Sequence, residues 1–149
     1  MPSLIVFFDA DVLLAGSAST TGAAHLLLSL SELGIIQGIS SVHALQEAHR
    51  NLTRKIPDAL PEFDELIRQA VVVHPNPEDL YPYQDFAHPK DVPILAAAVS
   101  LGARWLVTFN LKDFYQPPQI VVVNPGQAVR KIRESLLQAG EFMGQNDFQ

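Results

Sequence analysis

The chain has 149 residues, 48% of them hydrophobic, and contains no cysteine. It is therefore expected to form one domain with a packed core, without disulfides, cysteine-ligated zinc or a thiol nucleophile. A formal net charge of −6 argues against a nucleic-acid surface built on a general positive field. The same charge is compatible with a nuclease whose carboxylate cluster holds a divalent metal ion.

The first apolar stretch, residues 3–13, is rich in β-branched and aromatic residues. This composition is typical of a strand that is buried on both faces at the centre of a parallel sheet. The strand ends in two carboxylates, Asp9 and Asp11. Because ligands bind at the carboxyl ends of central strands in open α/β sheets, we predict an active-site role for these acids. The alternative is that Asp9 only starts a turn.

The remaining chain alternates between helical and strand patterns. Residues 15–21 predict a loop, with Thr20 or Thr21 as the following N-cap, and Ser40 or Ser41 is predicted to cap a later helix. Residues 75–89 predict a long irregular connection. The predicted helices cover residues 23–30, 42–55, 62–69, 90–102 and 125–138, and the predicted strands after the first cover residues 35–39, 70–74, 103–108 and 119–123.

This alternation predicts a three-layer α/β/α fold with a central parallel sheet of about five strands. One domain is expected over residues 1–138, followed by a flexible tail over residues 139–149. The apolar runs are too short to cross a bilayer, and the N-terminus lacks the basic flank of a secretory signal. We therefore expect a cytoplasmic protein that does not associate with membranes.

Polar side chains recur where the predicted strands end and the helices begin. Because the carboxyl ends of parallel strands share one edge, these residues are predicted to meet there. Clustered carboxylates raise one another's pKa unless a cation is present, and oxygen ligands favour Mg²⁺ or Mn²⁺. Such ions activate water and stabilise phosphoryl displacement. The residues are Asp9, Asp11, Glu47, Asp91, Thr108, Asn110 and Asp113.

Several of these residues also have a simpler interpretation when each is taken alone. Glu47 can be a solvated helix residue, and Asp91 can be the N-cap of the helix that follows it. Asn110 and Asp113 can merely cap the turn after the fourth strand. The shared sheet edge is what favours the functional interpretation.

These residues resemble the PIN domain family, a metal-dependent ribonuclease fold. The matching segments cover nearly the whole chain: residues 9–13, Glu47, residues 90–98, residues 106–114, and the closing strand and helix over residues 120–137. The resemblance implies a central parallel sheet with Asp9, Glu47 and Asp91 as metal-binding acids. Many relatives are toxins paired with antitoxins and commonly form dimers, so an antitoxin partner and a homodimer are expected.

The sequence departs from this family at its fourth acidic position. Many members place aspartate where this chain has Asn110, and Asp113 is an alternative source of that carboxylate. Asp11 falls where members commonly have asparagine, so an acid is regained there. Thr108 is expected to orient a ligand or water. Three basic residues beside the acids, Arg50, Lys90 and Lys112, are candidates for holding the flanking phosphates of RNA.

The favoured hypothesis is therefore a small metal-dependent endoribonuclease. One alternative is a phosphatase of the haloacid-dehalogenase type, with Asp9 as nucleophile and Asp11 as general acid. That family needs its later lysine and acidic residues in separate motifs, whereas Lys90 and Asp91 are adjacent here. The other alternative is a catalytically weak domain that binds RNA or protein, because Asn110 removes a charge from the site.

Overall fold

Five short parallel strands form the centre of the fold, as the sequence predicts. The structure is a computed structural model that describes residues 4–147, with side chains described through residue 140. In the sheet the strands lie in the order β3-β2-β1-β4-β5. They are β1 (Ile5–Phe8), β2 (Gln37–Ser41), β3 (Val72–His74), β4 (Trp105–Val107) and β5 (Val121–Val123).

Helices connect these strands and cover both faces of the sheet. Short 3-10 segments lie at Pro57–Ala59, Tyr81–Phe86, Pro89–Asp91 and Leu111–Asp113. The α-helices are α1 (Ala10–Ala18), α2 (Ala23–Glu32), α3 (Val42–Lys55), α4 (Leu60–Ala70), α5 (Val92–Ser100) and α6 (Pro125–Asp147).

The central strand β1 is the most deeply buried part of the sheet. It pairs with β2 on one side and with β4 on the other, both in parallel. Val6, Phe7 and Phe8 are fully buried, which explains why both faces of this strand are apolar. Burying each such side chain is worth about 1.5–3 kcal/mol, so the residues that follow β1 are attached to a rigid support.

The order of the strands reverses direction beside β1. The chain moves outward from β1 through β2 to β3, and then crosses back to β4 and β5. Right-handed crossovers in opposite directions place helices on opposite faces and leave a crevice at the carboxyl ends of β1 and β4. This crevice is the expected position of a ligand site in an open parallel sheet.

The start of the chain differs from the sequence prediction. The first strand ends at Phe8, and residues 10–18, partly predicted as strand and partly as loop, form α1. In α1, Gly16 allows a close approach to α2, because a Cβ atom there would lie 2.5 Å from the Leu28 side chain. The alanines and leucines of α1 are good helix formers, and its one glycine lies where this close packing leaves no space for a side chain.

Other boundaries also moved. The N-cap of α2 is Gly22 rather than Thr20 or Thr21, whereas Ser41 caps α3 as predicted, through a hydrogen bond from the Ala44 backbone N–H. Helix α6 continues to Asp147, beyond the predicted end at residue 138. The predicted flexibility of residues 139–149 stays a prediction, and residues 148–149 lie outside the described residues.

No single helix within residues 4–147 has both the length and the hydropathy needed to cross a membrane. Only α1 and α2 taken together reach those values, across a bend of 94°.

A serine hydroxyl joins three elements beside the centre of β2. The Ser31 hydroxyl of α2 accepts a hydrogen bond from the Gly38 backbone N–H at 2.9 Å and donates to the carbonyl of Ala70 at the end of α4. At Gly38 there is no space for a side chain, because a Cβ atom would lie 2.4 Å from Ser31 Oγ and 2.6 Å from Phe8 Cε2. Glycine is therefore required at this position by packing.

We expect Gly38→Ala to lower the free energy of unfolding by about 1–3 kcal/mol, the usual cost of overpacking a core. Urea denaturation would measure this change. The matched control is Gly140→Ala in α6, where a Cβ atom meets nothing within 4 Å and alanine should be neutral or stabilising by up to about 1 kcal/mol. Equal effects of the two substitutions would contradict the packing argument.

Candidate active site

Asp9 lies at the junction between β1 and α1. Its backbone N–H continues the sheet by donating to the carbonyl of Val107 in β4, at 3.0 Å. Its side chain caps α1, with Oδ1 accepting from the Ala10 N–H at 2.7 Å. Only 4% of the residue is exposed. Asp9 therefore caps a helix, where the simpler interpretation predicted only the start of a turn, and it also directs a carboxylate into the crevice.

Thr108 holds the second oxygen of Asp9. This threonine follows β4, is fully buried, and donates from Oγ1 to Asp9 Oδ2 at 2.9 Å. Its hydroxyl in turn accepts from the Asn110 backbone N–H at 3.1 Å. Because both Asp9 oxygens are engaged by donors on adjacent elements, the carboxylate has a fixed orientation.

Asp11 lies in the first turn of α1 and faces the end of β4. Its Oδ2 accepts hydrogen bonds from the Phe109 backbone N–H at 3.1 Å and from Asn110 Nδ2 at 3.3 Å. Its other oxygen, Oδ1, is buried without a hydrogen-bond partner among the described residues. Asn110 thus pairs with Asp11.

Asp91 approaches the crevice from the start of α5. It is 7% exposed, and its Oδ2 is likewise buried with no hydrogen-bond partner in the part of the chain that the structure describes. It is the N-cap residue of α5 but makes no side-chain capping bond, so capping does not account for its burial. Asp113 lies beside it and pairs with Lys90, whose Nζ is 3.6 Å from Asp113 Oδ2.

Burial raises the pKa of three of these carboxyl groups. Desolvation, followed by the charge of Asp11, raises the pKa of Asp9 to about 7, and desolvation also raises the pKa of Asp11. For Asp91, desolvation raises the pKa to about 6; Lys90 opposes this rise, and the neighbouring Asp113 adds to it. The charge of Glu47, half-buried on α3, contributes to all three increases. The four acids therefore form one electrostatic cluster.

These acids offer only oxygen atoms as metal ligands, and two of their buried oxygens have no hydrogen-bond partner among the described residues. That combination suits a hard divalent cation, which would supply the missing partner and lower the cost of ionising the cluster. Among the described residues, no three histidine or acidic side chains converge closely enough to ligate one ion in this arrangement.

The three predicted basic residues, here called the rim cations, are exposed, and each is close to one of the acids in sequence or in space. Arg50 is exposed on α3, one helical turn after Glu47, and Lys90 and Lys112 are exposed near Asp113 in sequence or space. Of these three, only Lys90 makes an ion pair among the described residues. The rim cations are therefore mostly available to an anionic ligand.

Two contributions to the site were missed by the sequence reasoning. The Phe109 backbone N–H binds Asp11, and the Ser40 hydroxyl donates to the carbonyl of Phe8 at 2.7 Å, at the end of β1. A backbone donor leaves no side-chain signal in the sequence. The buried serine pair at positions 40 and 41 was interpreted only as a helix cap.

Comparison with known proteins identifies a family and a fold. A family model described as PIN domain matches residues 5–112. A chain in the crystal structure of VapBC2 from Rickettsia felis bound to a DNA fragment from their promoter is similar with a TM-score of 0.64 and 15% identity, over 80% of this chain and 98% of that chain. No curated protein matches in sequence.

A second similar structure is Mycobacterium tuberculosis VapC20, described as a sarcin-ricin loop cleaving toxin. It has a TM-score of 0.51 and 18% identity, over 68% of this chain and 86% of that chain. At these identities the two structures establish a likeness of fold and nothing more.

In EDTA, we expect the free energy of unfolding to fall as the pH rises from about 4 to about 7. The pKa of Asp9 is 3.8 in the unfolded reference and about 7 in the folded chain. In this range the folded chain binds more protons than the unfolded chain, so stability decreases with rising pH. The total loss is on the order of a few kcal/mol, and urea denaturation between pH 4 and pH 8 would measure it.

Asp9→Asn should reduce this pH dependence to the part that Asp11 and Asp91 contribute, and should exceed the wild type in stability at pH 8, because asparagine still caps α1 but carries no charge. Asp58→Asn, a substitution of an exposed aspartate in the 3-10 segment Pro57–Ala59, is the matched control and should keep the wild-type slope. A wild-type slope in Asp9→Asn would show that Asp9 is not the titrating group.

Proposed function

Because this chain belongs to the PIN domain family, whose model covers residues 5–112, we propose that it is a metal-dependent endoribonuclease. It hydrolyses RNA phosphodiester bonds at the carboxylate cluster. The observation that carries this proposal is the set of desolvated acids at the reversal point of the sheet, with two oxygens, Asp11 Oδ1 and Asp91 Oδ2, left without partners.

Mg²⁺ or Mn²⁺ is the proposed cofactor. Asp9, Glu47 and Asp91 would hold it, with Asp11 contributing a fourth carboxylate. The ion supplies Lewis acidity, which makes a water molecule a better nucleophile at neutral pH and offsets charge on the phosphate.

The surrounding residues keep this cluster in place. Thr108 fixes the Asp9 carboxylate by a buried hydrogen bond, and Asn110 and the Phe109 backbone N–H fix Asp11. Because these donors all belong to the segment that follows β4, the acids that follow β1 are positioned by the neighbouring strand. We assign positioning roles to Thr108 and Asn110.

Asp113 has a different position from the fourth acid that the family pattern suggests. It lies beside Asp91 and Lys90 rather than beside Asp11. We propose that it orients Asp91 and Lys90, and that Asp11, with Asn110 as its hydrogen-bond donor, takes the place of the fourth carboxylate.

The rim cations complete the proposed RNA site. Arg50, Lys90 and Lys112 are exposed, and we propose that they offset the repulsion between the acidic cluster and a phosphate backbone. Each can hold a phosphate on one side of the scissile bond. This local arrangement reconciles RNA as a substrate with a net charge of −6.

The similar structures suggest a biological setting. VapC20 from Mycobacterium tuberculosis is described as a toxin that cleaves the sarcin-ricin loop, and VapBC2 from Rickettsia felis is described in complex with promoter DNA. By analogy, we propose that this chain is the toxin of a toxin–antitoxin pair, that it acts in the cytoplasm as a homodimer, and that an antitoxin protein restrains it. Because the chain belongs to the PIN domain family, the alternative of a phosphatase of the haloacid-dehalogenase type is not part of this proposal.

The first test is cleavage of single-stranded RNA by the purified protein with Mn²⁺, Mg²⁺ or EDTA. We expect cleavage with either metal and none with EDTA. Asp91→Asn should reduce cleavage by at least about 100-fold, because it removes a carboxylate from the proposed metal site. Asp58→Asn, the exposed control, should retain wild-type activity.

Equal inactivity of wild type and Asp91→Asn on diverse RNAs would contradict the nuclease proposal. The favoured function would then be that of a domain that binds RNA or protein without cleaving RNA.

A second test concerns the pair formed by Asp11 and Asn110. We expect Asp11→Asn to lower kcat by about 10-fold or more, because the pair loses its only carboxylate. Asn110→Asp alone places two carboxylates at a spacing of 3.3 Å and should raise the pKa of the pair. The double exchange, Asp11→Asn with Asn110→Asp, restores one acid and one amide and should recover most of the kcat.

Single-turnover cleavage of one RNA by the four proteins would measure these effects. If the double exchange is as inactive as Asp11→Asn, the identity of the residue at position 11 matters rather than the composition of the pair.

A further inference from the structure

One aromatic side chain is exposed directly beside the acidic cluster. Phe109 is 52% exposed, whereas Phe7, Phe8, Phe63 and Phe114 are buried. It lies between Thr108 and Asn110, both of which hydrogen-bond to the site carboxylates. Phe109 is thus an exception among the six phenylalanines whose side chains the structure describes, four of which are buried.

The backbone of Phe109 is fixed in this position. Its N–H donates to Asp11 Oδ2 at 3.1 Å, and the residue after it donates from its backbone N–H to Thr108 Oγ1 at 3.1 Å. Three covalent bonds separate the ring from the backbone nitrogen that hydrogen-bonds to the Asp11 carboxylate. Its distance from the acids is therefore set by the backbone, and only its two side-chain torsions remain free.

We propose that the Phe109 side chain is a stacking platform for an unpaired nucleobase of the nucleotide next to the cleaved phosphate. This inference rests on the proposed function, because it takes RNA as the substrate. Bases stack on aromatic side chains through their π-faces, and this contact tolerates any base. The assignment makes Phe109 a substrate-positioning residue.

The chemistry of the surroundings favours a base over other ligands. A cationic side chain at position 109 would form ion pairs with Asp9, Asp11 and Glu47. The uncharged phenyl ring can hold a base without competing with a metal ion for those acids. The base is linked through its sugar to the phosphate that is cleaved at the acids. A ring adjacent to the acids can therefore reach that base. Stacking would also orient the nucleotide before hydrolysis.

Three substitutions distinguish stacking from simple apolar contact. Phe109→Ala and Phe109→Leu should each lower kcat/KM on single-stranded RNA by on the order of tenfold, and Phe109→Trp should retain it. Tyr81→Ala, which removes the most exposed of the large hydrophobic side chains, at 80%, is the matched control and should have no effect. Thermal unfolding of each variant would verify that the fold is intact, as expected for a half-exposed side chain.

An abasic substrate provides the decisive comparison. The nucleotides that flank the cleaved bond are replaced one at a time by abasic ribose. Wild type should lose on the order of tenfold in kcat/KM at one of these positions, and Phe109→Ala should lose nothing further there. Equal losses for both proteins at every position would overturn the proposal.

A binding measurement separates this proposal from the proposed function. RNAs that carry 2-aminopurine at each position in turn are titrated with Asp91→Asn protein in Mg²⁺, with and without Phe109→Ala. Quenching that requires Phe109 supports stacking even if the wild type cleaves no RNA, in which case only the nuclease proposal fails. Cleavage by the wild type with quenching independent of Phe109 overturns stacking alone, and the exposed ring is then left as a contact for a protein partner.

Discussion

The burial of several carboxylates at the carboxyl edge of the sheet is the constraint on which the rest of the structure depends. Asp9 and Asp91 are almost fully buried, and desolvation is the largest cause of the raised pKa of each. Transferring an ionised acid from water to such a place is unfavourable unless partners compensate. The apolar sheet beneath these acids provides the stability that offsets this cost, and a bound cation would provide the remaining compensation.

One residue joins the fold to the site. Asp9 continues the sheet through its backbone, begins α1 through one carboxylate oxygen, and meets Thr108 through the other. A helix that starts immediately after the central strand brings its first turn, with Asp11, to the same edge. The direct transition from strand to helix therefore explains how both acids reach the same crevice. Asp9 lies at the end of the strand, and Asp11 lies in the first turn of the helix that begins there.

The sequence was sufficient for those features that depend on local pattern. The five strands, the Ser41 cap of α3 and the clustering of acids at one edge follow from apolar runs, capping residues and parallel topology. Helix α1 was missed because its apolar residues continue those of β1 without a break, and because the contact with α2 that Gly16 allows involves a residue distant in sequence. For the same reason, the hydrogen bond from the Phe109 backbone to Asp11 and the partnership of Asp113 with Asp91 became evident only in three dimensions.

The hydrogen bond between Asn110 and Asp11 also bears on how such chains diverge. The two residues are 99 positions apart and share one donor and one acceptor. A lineage that exchanges acid and amide between them must pass through one of two states: two acids, which offer each other no donor when both are ionised, or two amides, which keep a hydrogen bond but no carboxylate. The two positions are therefore expected to covary, and a comparison that inspects position 110 alone would record a lost acid where the pair has kept one.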